Sequence, residues 1–153
     1  MKKIISTICL LALCSALVVP AVFAQGAVKQ GPDASTVRDP ELEKDSYHNL
    51  EVARHYFKTR KAYRAAIARC EEIIAGHPGF SRIDEVLYIA GESSLRLADN
   101  KGKQAAKTSP DNLRKDAREY LSRLVKEFPD SSFREQAQTD LRTLGGETAT
   151  KKQ

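Results

Sequence analysis

The sequence predicts an all-α protein built as a right-handed stack of antiparallel helix pairs. Three observations carry this. Apolar residues recur at helical spacing through five successive segments. No stretch shows a two-residue alternation or a hairpin turn signal. Two of the segments also share one ruler: Ala66, Cys70, Ile73 and Pro78 stand at offsets of 0, 4, 7 and 12, and so do Ala117, Leu121, Leu124 and Pro129.

The chain opens on an address. Met1-Lys2-Lys3 is a short basic start, and residues 4–19 carry no charge. Pro20 breaks that run, and Val22-Phe23-Ala24 offers small residues at both positions a signal peptidase reads. The pattern predicts a secretory signal over residues 1–24, cut after Ala24, with export to the periplasm or beyond. The run is shorter than the ~20 apolar residues of a membrane span. A competing cut exists. Leu11-Ala12-Leu13-Cys14 resembles a bacterial lipobox, with Leu13 where a small residue normally stands, and lipidation of Cys14 would anchor the chain to the outer membrane. Removal through Ala24 takes Cys9 and Cys14 away, leaving Cys70 as the one mature cysteine, and lowers the net charge from +5 to +3.

Residues 25–39 are polar, with Gly26, Gly31, Pro32, Asp33 and Ser35, and read as a flexible linker. The folding region is residues 40–144. Asp39-Pro40-Glu41 supplies an N-cap, a proline at the first helical position and an early acid, and Leu50, Ala53 and Phe57 follow at helical spacing. The second helix carries Tyr63, Ala66, Ile67, Cys70, Ile73 and Ile74, and ends at Gly76 and Pro78. A third begins at Ser81, with Asp84 as its capping-box partner, and places Ile83, Leu87, Ala90, Ser94 and Ala98 on one face. Ser109-Pro110-Asp111 starts a fourth, with Leu113, Ala117, Leu121, Leu124 and Phe128. Ser132 and Glu135 start a fifth, with Phe133, Ala137, Leu141 and Leu144, and Gly145 stops it. Residues 145–153 form a disordered tail.

The shared ruler has a physical reason. A small residue (Ala66, Ala117) lets the paired helix approach, two larger ones pack into the following helix, and proline closes the turn. This is the second-helix half of a tetratricopeptide (TPR) repeat. The copies lie 51 residues apart against the usual ~34, so about 17 residues are inserted, in the polar, basic stretch 99–109. The chain therefore holds about two and a half repeats. The fifth helix mixes apolar and charged residues as a terminal cap should.

Side-chain chemistry points away from catalysis. His48, His55 and His77 lack metal-pair spacing and read as surface residues. Cys70 occupies the large-residue slot of the ruler and reads as a buried structural thiol. Glu71-Glu72 and Asp84-Glu85 read as solvated or first-turn acids, since neighbours on a helix point about 100° apart. There is no phosphate-binding glycine loop, and no cofactor is expected. The basic residues are more informative. Arg54, Lys58, Arg60, Lys61, Arg64 and Arg69 fall in one window without an acid, and the insertion adds Lys101, Lys103 and Lys107. Arg54 and Lys58 lie on the helix that lines the concave face of a TPR array. Arg54, Lys58, Lys61, Arg64, Lys101, Lys103 and Lys107 are therefore the candidate partner-binding residues, for an acidic protein segment or anionic lipid head groups. Without a base-stacking aromatic array, nucleic acid is not expected.

Several runs resemble a known family. Ala53-Arg54-His55-Tyr56-Phe57, Ala62-Tyr63-Arg64-Ala65-Ala66-Ile67, Cys70-Glu71-Glu72-Ile73-Ile74, His77-Pro78 and Glu85-Val86-Leu87-Tyr88-Ile89-Ala90-Gly91-Glu92-Ser93 are similar to a repeat of the BamD family. So are residues 117–131, with Ala137 and Leu141 after them. BamD proteins are TPR lipoproteins of the outer-membrane β-barrel assembly machinery. The resemblance covers residues 45–144 and implies a non-enzymatic periplasmic scaffold that binds envelope proteins, with no small-molecule substrate. A CpoB-like adaptor linked to cell-wall processes is the alternative, because such periplasmic TPR proteins share much of the pattern.

Overall fold

The computed structural model of the chain describes residues 39–150, with side chains through residue 145. The predicted signal, Cys14 and the predicted linker up to residue 38 lie outside the described residues.

Helix α1, Pro40–Arg54, starts as its sequence requires. The Asp39 carboxylate accepts from the amides of Glu41 (3.0 Å) and Leu42 (3.4 Å), and Pro40 fills a position where no amide is needed. The chain then widens into a π-helical turn, His55–Arg60, that the sequence reading does not foresee. The turn ends at Lys61 in the left-handed region (φ 51°), and the amide of Ala62 closes it on the Tyr56 carbonyl at 2.9 Å. Two residues therefore suffice to reverse the chain into α2, Tyr63–Gly76. Helix α3 is Ile83–Ala98, α4 is Pro110–Glu127 and α5 is Arg134–Thr150. Among the described residues every regular element is helical, and each helix packs on the next, with α1 also touching α3. This is the TPR-like stack of helix pairs.

The internal repeat is visible in the backbone. After α2, the amide of His77 bonds the Ile73 carbonyl, Phe80 bonds His77, and Ile83 bonds Phe80. After α4, Phe128 bonds Leu124, Ser131 bonds Phe128, and Arg134 bonds Ser131. Every donor and acceptor in the second set lies 51 residues after its counterpart. The ruler residues Ala66, Cys70, Ile73, Ala117, Leu121 and Leu124 are buried, while Pro78 and Pro129 sit exposed in the turns.

Two expected caps are corrected. Helix α3 starts at Ile83, not Ser81, and no side chain caps it. The Ser81 hydroxyl bonds the Tyr47 hydroxyl (3.1 Å), and the Asp84 carboxylate accepts from Ser131 (2.7 Å). The backbone bonds of the turn fix the helix start and leave the Ser81–Asp84 box unformed. Helix α5 likewise starts at Arg134, with the hydroxyl of Ser131, not Ser132, accepting from the Phe133 amide (3.2 Å). Nor does α5 stop at Gly145; it runs to Thr150. A glycine ends a helix by turning left-handed, and among the described glycines only Gly102 has positive φ.

Helix α3 is the centre of the stack. Eleven of its sixteen residues are buried, so it is covered on two sides. Val86, Ile89 and Ala90 join a core with Leu50, Ala53, Phe57, Ala66 and Cys70. Leu87 joins a second core with Ala117, Leu121, Leu124, Ala137 and Leu144. Gly91 permits the closest approach: a Cβ there would stand 2.7 Å from Cγ and Cδ2 of Leu121.

Candidate protein-docking surface

The inserted segment between α3 and α4 is ordered by its own backbone. Asn100, left-handed at φ 54°, ends α3 with a pair of closing bonds, Lys101 to the Arg96 carbonyl (2.8 Å) and Asn100 to the Leu97 carbonyl (3.1 Å). The chain then folds back onto the start of α2. The Lys103 amide bonds the Lys61 carbonyl (3.1 Å), and the Arg64 guanidinium bonds the Ala105 carbonyl (3.2 Å). Gln104 provides the cap that α2 lacks in its own sequence, its side-chain oxygen accepting from the Ala65 amide at 3.1 Å. Gly102, at φ 94°, makes this approach feasible, since a Cβ would lie 2.5 Å from the Lys61 carbonyl oxygen and 2.7 Å from the Tyr63 ring.

The fold thus gathers part of the basic set and disperses the rest. Lys61, Arg64, Lys103 and Lys107 meet where the insertion covers α2. Beneath Arg64 and Lys107 runs a cleft of about 450 Å³ between α2 and α4, floored by Ala65, Ile67, Leu97 and Leu113 and bounded by Glu71 and Asp116. Lys58 and Arg60 are exposed on the π turn just ahead of Lys61. Arg54 goes elsewhere. It grips the Glu85 carboxylate with two bonds of 2.6 Å, clamping α1 to α3, while Arg82 holds the same carboxylate at 2.7 Å. Glu85 is therefore buried, 5% exposed, where the sequence reading allowed a solvated acid. Burial pushes its carboxyl up, but Arg54, Arg82 and Lys58 outweigh this and hold it below the usual carboxylate range. Arg69 is paired with Glu72 (2.6 Å) and Lys101 with Asp99 (3.1 Å), the latter at a separate cavity.

Other side chains depart from expectation. His77 is buried, not a surface residue. Its ring lies against Phe80, and its Nδ1 is 2.9 Å from the Ser46 hydroxyl, which ties α1 to the end of α2. His48 and His55 are exposed. Cys70 is wholly buried, and burial pushes its thiol well above the ordinary range, so it is inert as a nucleophile. Arg96 goes unnoticed in the sequence. It stacks over the Phe57 ring at 4.8 Å, donates to Glu92 at 2.7 Å and to the Tyr63 hydroxyl at 3.3 Å. The Glu92/Arg96 spacing of four on a helix was its one legible signal. Among the described residues, no three His, Cys, Asp or Glu stand together as a metal site. No described helix is long and apolar enough to cross a membrane.

Residues 49–152 match the family model YfiO, outer membrane lipoprotein, which is well over half of the chain. The chain belongs to the YfiO family. The match agrees with the BamD-like motifs read from the repeats. No curated protein and no solved structure matches the chain. The YfiO region takes in the later part of α1, the π turn, both turns of the 51-residue repeat and the whole insertion. Every described basic residue of the candidate surface lies inside it.

Proposed function

We propose that the chain is a non-enzymatic, BamD-like periplasmic scaffold that holds a partner protein during outer-membrane or envelope protein assembly. One observation carries the reading: the insertion folds back to set Lys103 and Lys107 beside Lys61 and Arg64 on a repeat stack of an outer-membrane lipoprotein family. Lys58 extends the positive field at the neighbouring π turn. Long basic side chains on a fixed backbone steer an acidic segment and hold it reversibly, with an attraction that salt screens over a Debye length of ~8–10 Å. The cleft under Arg64 and Lys107 offers apolar contact at the same place.

The test is site-specific photo-cross-linking in cells, from probes at the exposed neighbours Arg60 and Ala105. The expected result is cross-linking to an envelope assembly protein, abolished by the triple reversal K61E/K103E/K107E and unchanged by K115E. Cross-links that survive the triple reversal would refute the reading. The proposal includes export through the signal at residues 1–24, and mass spectrometry of the mature N-terminus checks it. A start at Gln25 gives a soluble periplasmic protein, an acylated Cys14 gives an anchored one, and retention of Met1 rules export out.

A further inference from the structure

A second cavity lies between α3 and α5, of about 310 Å³; its three carboxylates and three cations balance in charge, but one carboxylate oxygen is left without a hydrogen bond. At the junction of α1 with α3, the carboxylate of Glu85 is met by Arg54 from the neighbouring helix. At the junction of α3 with α5, no cation among the described residues bonds the carboxylate of Asp140, which feels only the nearby charge of Arg96. Its Oδ1 accepts from Gln136, one turn earlier on its own helix (3.1 Å), and its Oδ2 is buried with no partner among the described residues. The cations of the cavity wall are engaged elsewhere. Arg96 is fixed by Glu92, Tyr63 and the Phe57 ring, while Lys101 and Arg114 both hold Asp99. An orphaned carboxylate oxygen beside a cavity is a costly arrangement unless something supplies a donor.

We propose that this cavity receives an arginine or lysine side chain of a partner protein, its cationic head on Asp140 with Glu92 alongside. The size suits a whole side chain and is too large for a bare ion. Leu95, Thr143 and Leu144 offer the alkyl stem an apolar wall. Burial raises the carboxyls of both Glu92 and Asp140, which is the condition under which an added cation gains most. The site prefers the opposite charge to the Lys61/Lys103 surface and does not depend on it.

The test uses the full mature chain and three probes followed by NMR and calorimetry: acetyl-arginine amide, its uncharged isostere acetyl-citrulline amide, and spermidine. Saturable shifts at Leu95, Asp140 and Thr143 are expected with the arginine probe and absent with citrulline. Asp140→Asn should weaken the arginine probe about tenfold or more. Asp140→Asn should also raise Tm at pH 7 and leave it unchanged near pH 3. A carboxyl raised in the fold costs stability only where it ionises, so the penalty appears as pH rises through its folded pKa. Equal response to citrulline, tighter binding of spermidine than of the arginine probe, or a lower Tm for Asp140→Asn at pH 7 would each overturn the proposal. The triple reversal K61E/K103E/K107E leaves probe binding intact, so failure here and failure of the scaffold reading are separable.

Discussion

Replacing Gly102 by alanine tests whether the insertion is a built part of the docking surface. The new Cβ would stand 2.5 Å from the Lys61 carbonyl oxygen, a backbone atom with no rotamer to escape into, at a φ of 94° that costs an L residue ~1–2 kcal/mol by itself. Undocking is the cheaper response. It gives up three hydrogen bonds: Lys103 to Lys61, Ala65 to Gln104 and Arg64 to Ala105. At ~0.5–1.5 kcal/mol each, and with some loop entropy regained, the loss comes to about 2 kcal/mol. For a domain of this size that lowers Tm by about 10 °C. Circular dichroism melts give the stability, and amide exchange gives the location. Protection should fall at Ala65 and Lys103 and persist at Cys70 and Leu121. Binding through Lys103 should weaken in parallel. Unchanged exchange at the Ala65 and Lys103 amides, with Tm unaltered, would refute the claim that the insertion is pinned to α2.

Two further predictions concern the scaffold. Glu85→Gln should destabilise the fold at pH 7 by ~1–3 kcal/mol, since the Arg54 and Arg82 bonds lose their charge. Because the Glu85 pKa is depressed in the fold, its contribution is present above the unfolded value of ~4.3 and lost as pH falls below it. The gap between wild type and variant in urea melts should therefore close in acid, and a constant gap would contradict the ion pair. Gly91→Ala sets a Cβ 2.7 Å from Leu121, so overpacking of ~1–3 kcal/mol outweighs a helix gain of ~1 kcal/mol. Urea denaturation should show net loss, partly recovered when Leu121→Val is added.

What was legible in the sequence was whatever repeats or obeys a local rule. Asp39-Pro40 and Ser109-Pro110 cap their helices as written, the latter with Ser109 accepting from Asn112 at 3.3 Å. The offsets of 4, 7 and 12 from Ala66 and Ala117 mark burial because a helix face has a fixed period. What was not legible depends on groups far apart in the chain. The choice of Arg54 as a clamp rests on Glu85, and the burial of His77 rests on Ser46 and Phe80. The Ser81–Asp84 box is locally plausible and lost to Tyr47 and Ser131. The same limit applies to the docking surface. A window of cations was visible, but not that Arg54 leaves it for Glu85 or that the insertion returns to Lys61. The orphaned carboxylate of Asp140 has no sequence signal at all, since being unpartnered is a property of the surroundings.

Helix α3 has a last consequence. Consecutive residues of one helix, Val86 and Leu87, belong to different hydrophobic cores. In longer repeat arrays each unit has some stability of its own, and neighbours can melt at different points. Here neither half owns the middle helix, so removing either leaves an apolar face open to water. The array therefore behaves as one cooperative body, with a single unfolding transition instead of a frayed series.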